Sequence, residues 1–339
     1  MKRYLSVDAL RGAAVAAMIV VNTPGDWNHV YAPLLHSEWD GFTPTDLVFP
    51  LFLFIVGVSI ALAPASPPRA ILARALRIAA LGIALNLVAM ALIDGRGFRI
   101  WGVLQRIGIC YAAAALVATS ARPRTQWIVI AALLLGYWAA MALGGSFARE
   151  GNLASRIDTG LFGRFNYEFD AATGLGHDPE GLLSTLPAIA TALLGVRAGD
   201  WLRAGDVRRI VLGAVAALAI GGAASLAVPI NKNLWSSSFA LWAGGWSLLL
   251  LAVFHVAIDR RGVPAVGRRF GVNAIAIYAL AWIVECVGAA TGANPAIAGA
   301  FARTIPDPRA ASLAYALAYA FFWWLAAWAL DRRGVRIRI

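Results

Sequence analysis

The sequence predicts an all-α, polytopic integral membrane protein with about ten transmembrane helices. Of its 339 residues, 60% are hydrophobic and 14% are charged, and the mean hydropathy is +0.70. A soluble domain carries roughly 25% charged residues, because its surface must be solvated. The shortage of charge therefore indicates that much of the surface faces lipid. The 33 glycines and 13 tryptophans suit close helix packing and anchoring at the membrane interface.

Ten apolar runs carry this prediction, since a helix that crosses the hydrocarbon core needs about 20 residues. They are 4–23, 46–64, 70–92, 101–119, 127–145, 181–199, 208–228, 234–258, 270–290 and 311–330. The first run is the weakest, because Asp8 and Arg11 interrupt its start. These two residues lie three apart on one helical face. They can form an ion pair that positions the helix, or Arg11 can contact a ligand.

The positions of the basic residues predict the orientation, because cytoplasmic loops carry an excess of arginine and lysine. With the N-terminus in the cytoplasm, the arginine pairs at 208–209, 260–261, 268–269 and 332–333 all fall on that side. An even number of spans then returns the C-terminus to the cytoplasm. The net charge of +11 is spread over helix ends and forms no nucleic-acid-binding patch. We therefore expect cytoplasmic termini and no nucleic-acid partner.

In this orientation two longer polar segments lie outside, within what we expect to be a single domain over 1–339. One is the loop 24–45, and the other is 146–180, which resembles a small lid. Cys110 and Cys286 lie in apolar runs, where they are typical of buried hydrophobic residues rather than of a disulfide framework. No histidine has the spacing of a metal ligand, so we expect no metal site.

Three polar residues near the loop 24–45 are candidates for chemistry. Asn22 ends the first run, His36 lies fourteen residues further on, and Asp46 opens the second run, where it can also cap the helix. Histidine suits general-base or nucleophilic work, because its pKa lies near neutrality. On position alone, however, a histidine at the membrane rim is more often a hydrogen-bonded surface residue.

Further polar residues lie at the ends of other runs. Arg74 and Arg77 are one turn apart and can hold a phosphate-bearing ligand from the cytoplasm, although either can equally be a snorkelling anchor. The pair at 105–106, Gln105 and Arg106, is deep enough in the fourth run to face a polar cavity. The cluster Asn231-Lys232-Asn233 lies at the outer rim beside the eighth run and can bind a sugar.

Short motifs in a fixed order make the sequence recognisable. They include Ser-Val-Asp-Ala-Leu-Arg-Gly at 6–12 and His-Ser-Glu-Trp-Asp-Gly at 36–41, with others at 20–22, 46–50, 102–106, 178–183, 194–196, 229–235 and 271–273. By this ordered set, which spans nearly the whole chain, the sequence resembles the heparan-α-glucosaminide N-acetyltransferase family in its short bacterial form.

The resemblance implies a transmembrane acetyltransferase of the bacterial inner membrane. Members of that family move acetyl from cytoplasmic acetyl-CoA to the amine of a terminal glucosamine on the other side. The family's catalytic histidine falls on His36 and its functionally important asparagine on Asn22. Whether acetyl passes through acetyl-histidine or directly to the amine is left open by the resemblance. Family members dimerise, so a homodimer in the lipid bilayer is compatible with this assignment.

Together, the two lines of reasoning give each candidate residue a role. The predicted catalytic residues are His36, Asn22, Asp46 and Asp40, with either Asp46 or Asp40 orienting the imidazole ring. The predicted acetyl-CoA-binding residues are Arg74, Arg77, Arg11, Gln105 and Arg106. The predicted residues for an amino-sugar or glycan acceptor are Asn231, Lys232, Asn233, Glu180 and Trp39.

Two other functions fit the same sequence. A sugar transporter related to N-acetylglucosamine would also use many helices and a polar outer rim, and O-acetylation of an envelope glycan would keep the chemistry and change the acceptor. The sequence departs from the animal pattern at 280–282, where Leu-Ala-Trp replaces Gly-His-Glu, and in its longer loop between Asn22 and His36. These departures concern the acceptor more than the acetyl chemistry.

Overall fold

The computed structural model describes residues 3–337, which are mostly helical. The helices are α1 (Leu5–Asn22), α2 (Val48–Leu62), α3 (Pro68–Leu92), α4 (Val103–Ser120), α5 (Pro123–Leu143), α6 (Leu153–Phe162), α7 (Thr185–Arg203), α8 (Val207–Ala224), α9 (Ser237–Phe254), α10 (Arg268–Val272), α11 (Ala274–Ala290), α12 (Ala293–Thr304) and α13 (Pro308–Arg332). A 3-10 turn, Pro44–Leu47, leads into α2, and a π-helical turn, His255–Arg260, extends α9.

Within residues 3–337, eight helices are long and apolar enough to cross a membrane: α1, α2 with its preceding turn, α3, α4, α5, α8, α9 with its π-helical turn, and α13. Helices α11 and α12 pass the same test together but meet at a bend of 84°. The predicted run 181–199 corresponds to α7, which carries Arg197, Asp200 and Arg203 in its second half. The all-α, multi-pass prediction is confirmed, whereas ten crossings and the side of the termini stay predictions.

Helices α2 and α7 form the centre of the bundle, and glycine lets them touch. A Cβ atom on Gly57 would lie 1.9 Å from the carbonyl oxygen of Ala192, and one on Gly195 would lie 2.0 Å from that of Phe54. Any larger residue at either position would push the helices apart. Because α2 begins directly after the loop 24–45, this contact fixes that loop to the core.

The segment 146–180 folds into α6 and a hairpin of β1 (Glu168–Asp170) and β2 (Leu175–His177), paired antiparallel. The side chain of Asn152 caps α6 by accepting a hydrogen bond from the Ser155 amide at 2.8 Å. Arg99, just before α4, joins this segment to the bundle. Its guanidinium donates to Asp178 at 2.5 and 2.9 Å and also contacts the carboxylate of Glu180.

Candidate functional site

The turn before α2 holds Asp46 in a fixed position against His36. Thr43 and Asp46 form a capping box, in which the Asp46 carboxylate accepts from the Thr43 amide at 2.9 Å. The same carboxylate accepts from the Ser37 amide at 3.2 Å and lies 2.7 Å from His36 Nδ1. Asp46 is fully buried, while the side chain of His36 is 45% exposed. The ring is therefore anchored through Nδ1, which leaves Nε2 to accept a proton or attack a carbonyl.

The loop before α9 reaches the other side of the His36 ring. Lys232 Nζ lies 3.5 Å from His36 Nε2, although 196 residues separate the two in sequence. Its neighbour Asn231 donates from Nδ2 to Asp40 at 3.0 Å. Of the two carboxylates predicted to orient the ring, Asp46 thus bonds to it, and Asp40 instead bonds to Asn231.

Glu180 brings a further charge close to Lys232. Burial alone would raise the pKa of Glu180, but the positive charges of Arg99, Lys232 and Arg106 lower it well below its ordinary value. Burial also lowers the pKa of Lys232, against the opposing effects of Glu180 and Asp46. We call His36, Asp46, Lys232 and Glu180 the His36 cluster. It combines an imidazole bonded to one carboxylate with an ammonium that lies within electrostatic range of a second.

Arg106 and Trp39 support this end of the bundle from two sides. Arg106 is fully buried and donates to the carbonyl of Gly181 at 3.1 Å and to the hydroxyl of Ser184, with its guanidinium 5.1 Å from the Trp235 ring. Trp39 donates from its indole N–H to the carbonyl of Phe147 at 2.9 Å, so it joins the His36 loop to the segment 146–180.

A cavity of about 500 Å³ opens at the opposite end of α2. Arg11, Arg74 and Arg77 line it, and we call it the basic cavity. The predicted ion pair is confirmed, since Arg11 lies 3.2 Å from Asp8. Arg11 also donates to the hydroxyl of Ser59 at 2.6 Å. Three of the five predicted acetyl-CoA residues therefore share one cavity, whereas Gln105 and Arg106 lie outside its lining.

The basic cavity is deep along α2. Its lining follows one face of the helix from Ala63 to Phe52, eleven residues, or about 16 Å at the rise of an α-helix. Six further residues, about 9 Å, separate Phe52 from Asp46. The cavity thus reaches most of the way from one end of the bundle to the His36 cluster.

Two narrow cavities continue the basic cavity towards Asn22. The first, of about 10 Å³, shares Phe52 and Ile275 with the basic cavity, and the second, of about 20 Å³, shares Met18 and Tyr278 with the first. Asn22 lines the second cavity.

One face of α1 and one face of α11 line this path. On α1 the lining residues include Arg11, Val15, Met18 and Asn22, and on α11 they include Ile275, Tyr278, Trp282 and Glu285. Both sets follow the three-and-four spacing that places residues on one side of a helix. Tyr278, which lines both narrow cavities, also lies within electrostatic range of Glu180 and Arg99.

Several functional candidates were missed by sequence reasoning. Arg99 and Asp178 were not singled out. They form an ion pair across 79 residues of sequence, and no local spacing signals such a pair. Glu285 was also missed, and a carboxylate inside an apolar run is the kind of signal that could have found it. Its Oε2 atom is buried without a hydrogen-bond partner. Within residues 3–337 no group of three or more His, Cys, Asp and Glu side chains could hold a metal ion.

The sequence is similar to known N-acetyltransferases named for heparan-alpha-glucosaminide. The family model described as heparan-alpha-glucosaminide N-acetyltransferase, catalytic, matches residues 3–229. The human heparan-alpha-glucosaminide N-acetyltransferase is 30% identical over 356 aligned positions, which cover 81% of this chain and 52% of the human protein. The mouse protein of the same name is 29% identical over 351 positions, which cover 81% of this chain and 53% of that protein. The chain spans about half the length of these curated relatives.

Proposed function

The chain belongs to the heparan-alpha-glucosaminide N-acetyltransferase family, an acyltransferase family, and we propose that it moves acetyl from cytoplasmic acetyl-CoA to the amine of an amino sugar on the opposite, periplasmic side. The observation that carries this proposal is the arrangement of two unlike sites in one bundle. The basic cavity opens at one end of α2, and the His36 cluster lies at the other. A donor and an acceptor that stay on opposite sides of a membrane require such an arrangement.

The basic cavity suits the nucleotide end of acetyl-CoA. The phosphates of acetyl-CoA match the guanidinium groups of Arg11, Arg74 and Arg77. A guanidinium group can bind two phosphate oxygens in bidentate geometry. The pantetheine arm is on the order of 15–20 Å long, against about 30 Å of hydrocarbon. The 11 residues of α2 along the cavity span about 16 Å, so the arm can bring the thioester into the half of the bundle near Asp46.

The narrow cavities mark the route of the arm. Their lining is mostly apolar and includes Met18, Phe52 and Ile275, so an extended thioester chain fits there better than a sugar or a phosphate. The side chains must move apart to admit it, because the two cavities measure only about 10 and 20 Å³. At the far end of the route, the Asn22 amide would donate to the thioester carbonyl.

At the His36 cluster, the proposed reaction is direct transfer with His36 as the base. Asp46 holds the ring through Nδ1, so Nε2 can take a proton from the acceptor amine as nitrogen attacks the thioester carbon. Trp39 and Asn233, which are partly exposed, would contact the sugar, and the buried Asn231 would position Asp40 beside them. The segment 146–180 covers this end as a lid. Both termini are then cytoplasmic and the membrane is the bacterial inner membrane.

The test uses sealed proteoliposomes with radiolabelled acetyl-CoA on the side of the basic cavity and glucosamine on the other. We expect labelled N-acetylglucosamine to form with the unmodified protein and not with His36→Ala. His29→Ala is the matched control, because His29 lies in the same loop and bonds Asp26 at the same 2.7 Å. Wild-type transfer by His36→Ala would refute the mechanism.

Three further outcomes separate the alternatives. Entry of labelled N-acetylglucosamine without acetyl-CoA would identify a transporter. An ester rather than an amide in the mass spectrum of the product would identify O-acetylation. Acetyl trapped on the protein in the absence of acceptor would replace direct transfer by an acetyl-histidine route.

A further inference from the structure

We propose that Lys232 is a second proton-transferring residue: its ammonium protonates the sulfur of coenzyme A as the thioester breaks, and His36 then restores the proton to Lys232. This inference rests on the proposed function. It concerns a residue to which the sequence suggested only contact with a sugar.

The position of Lys232 relative to His36 is the first support. Nδ1 of His36 carries its proton towards Asp46, so Nε2 is an acceptor, and Lys232 Nζ lies 3.5 Å from it. The nitrogen that takes the amine proton is therefore next to the ammonium. If the acceptor amine attacks the thioester carbon beside His36 Nε2, the thioester sulfur comes within reach of the Lys232 side chain.

The charged groups around Lys232 are the second support. Glu180 precedes α7 and Asp46 precedes α2, and both favour the ammonium, whereas Arg106 on α4 and Arg99 before it oppose it. Burial, the largest influence, lowers the pKa of Lys232 below its ordinary value. The ammonium can therefore give up a proton more readily than an exposed lysine does, while the carboxylates keep it protonated at rest.

The choice of residue type is the third support. Among the 29 lysines and arginines of the chain, Lys2 and Lys232 are the two lysines, so arginine fills the other 27 positions (29 − 2). Arginine stays charged in proteins and cannot exchange a proton, whereas a partly buried lysine can. Lys232 can therefore act as an acid, whereas the nearby Arg99 and Arg106 cannot.

The proposed cycle conserves protons. The acceptor ammonium first loses one proton to water, and its nitrogen then adds to the acetyl carbon while His36 Nε2 takes a second proton. The carbon–sulfur bond breaks, and the Lys232 ammonium protonates the sulfur to give free coenzyme A thiol. His36 Nε2–H finally donates its proton to the neutral Lys232 amine, which restores both residues.

Two substitutions test this proposal, with acetyl-CoA and with S-(4-nitrophenyl) thioacetate as donors. Lys232→Met removes the charge, and Lys232→Arg keeps the charge but cannot release a proton. With acetyl-CoA, we expect both substitutions to lower kcat by about 10²–10³-fold, in the range of general acid catalysis. With the thioacetate, we expect kcat to fall by less than about threefold, because its leaving group is a thiolate that needs no proton. Arg303→Met, which removes an exposed positive charge on α12, serves as the control, and gel filtration checks folding.

Equal losses with both donors, or a wild-type rate in Lys232→Arg, would overturn the proposal, since either would show that charge or position alone matters. The pH profile of kcat with acetyl-CoA gives a second measurement that needs no other donor. The unmodified protein should lose activity on the alkaline side as Lys232 deprotonates, and Lys232→Arg should lack this limb; identical profiles would also overturn the proposal. If the unmodified protein transfers no acetyl, the proposed function fails; if it does and the Lys232 variants match it, only this inference fails.

Discussion

The two ends of the bundle are built in opposite ways. At the basic cavity, about 500 Å³ of space is open, and Arg77 bonds only weakly to its own helix, at 3.4 Å from the carbonyl of Ala73. At the His36 cluster the carboxylate of Asp46 already accepts three kinds of donor: the His36 ring, the Ser37 and Thr43 amides, and their hydroxyls. The difference agrees with the proposed roles, in which one end receives a large ligand and the other is a preorganised reaction site.

Replacing Asp46 with asparagine should break the preorganised end. We expect Asp46→Asn to lower kcat by about 10²–10⁴-fold, because the amide no longer fixes the Nδ1–H tautomer of His36. Steady-state kinetics measure this loss. Asp26→Asn, which changes the partner of His29 at the same 2.7 Å distance, should keep the wild-type rate. Comparable activity in the two variants would show that the carboxylate does not orient a catalytic ring.

Blocking the narrow route where it leaves the basic cavity should stop acetyl transfer and leave nucleotide binding intact. We expect Ile275→Trp, at the junction of the basic cavity and the first narrow cavity, to lower acetyl transfer by about 100-fold, because the indole obstructs the pantetheine arm. Binding of 3′-phospho-ADP, which lacks that arm, should be unchanged by calorimetry. Leu135→Trp, on the exposed face of α5, is the control. Unimpaired transfer in Ile275→Trp would mean that the arm takes another path.

Removing two arginines should weaken the open end alone. We expect Arg74→Ala with Arg77→Ala to raise KM for acetyl-CoA by about 10–50-fold, since each arginine lost removes about 1 kcal/mol of phosphate binding, and to leave kcat within about twofold. Kinetics over a range of donor concentration distinguish the two parameters. Arg69→Ala, on the same helix but outside the cavity lining, should behave as wild type. A fall in kcat with constant KM would contradict a binding role.

Acidification should destabilise the lid-like segment 146–180 through its buried histidine. Burial lowers the pKa of His177 to about 4 from an ordinary 6.5, so the unfolded chain binds more protons between these values and stability falls as the pH drops from 6.5 to 4. The loss is on the order of 1–3 kcal/mol. Thermal unfolding at a series of pH values should show this slope in the unmodified protein and a smaller one in His177→Phe.

Asp158 has the opposite effect on the pH dependence of stability, so its contribution must be compared with that of His177. Burial raises its pKa to about 6 from 3.8, so its contribution to stability falls as the pH rises through that interval. Asp158→Asn should therefore steepen the loss of stability on acidification. The same slope in all three proteins would show that neither side chain is buried as described.

The sequence predicted what depends on residue spacing along a helix or turn. The apolar runs gave the helices, and the ion pair of Asp8 with Arg11 followed from their three-residue separation. The contact of His36 with Asp46 was one of two alternatives, because a ten-residue loop can bring either carboxylate to the ring. The capping box decides between them, because it fixes the Asp46 carboxylate at the first turn of the second span, where it bonds to the His36 ring.

What could not be predicted are contacts between distant segments. The approach of Lys232 to His36 joins residues 196 apart, and that of Arg99 to Asp178 joins residues 79 apart. Such pairs depend on how helices are ordered around the bundle, which hydropathy does not encode. For the same reason the sequence grouped Arg106 with the acetyl-CoA residues, while packing sets it against Ser184 and the Trp235 ring.

The narrow cavity between the two ends has an electrical consequence. It has about 10 Å³ of space and a lining that is apolar except for Tyr278, which is too little to replace the hydration shell of an ion. If the pantetheine arm enters by this route as proposed, the bundle can still block protons and sodium. Each turnover would then leave the membrane potential unchanged. The hydrolysis-equivalent free energy of the thioester alone would drive acetylation on the far side, with no ion gradient consumed.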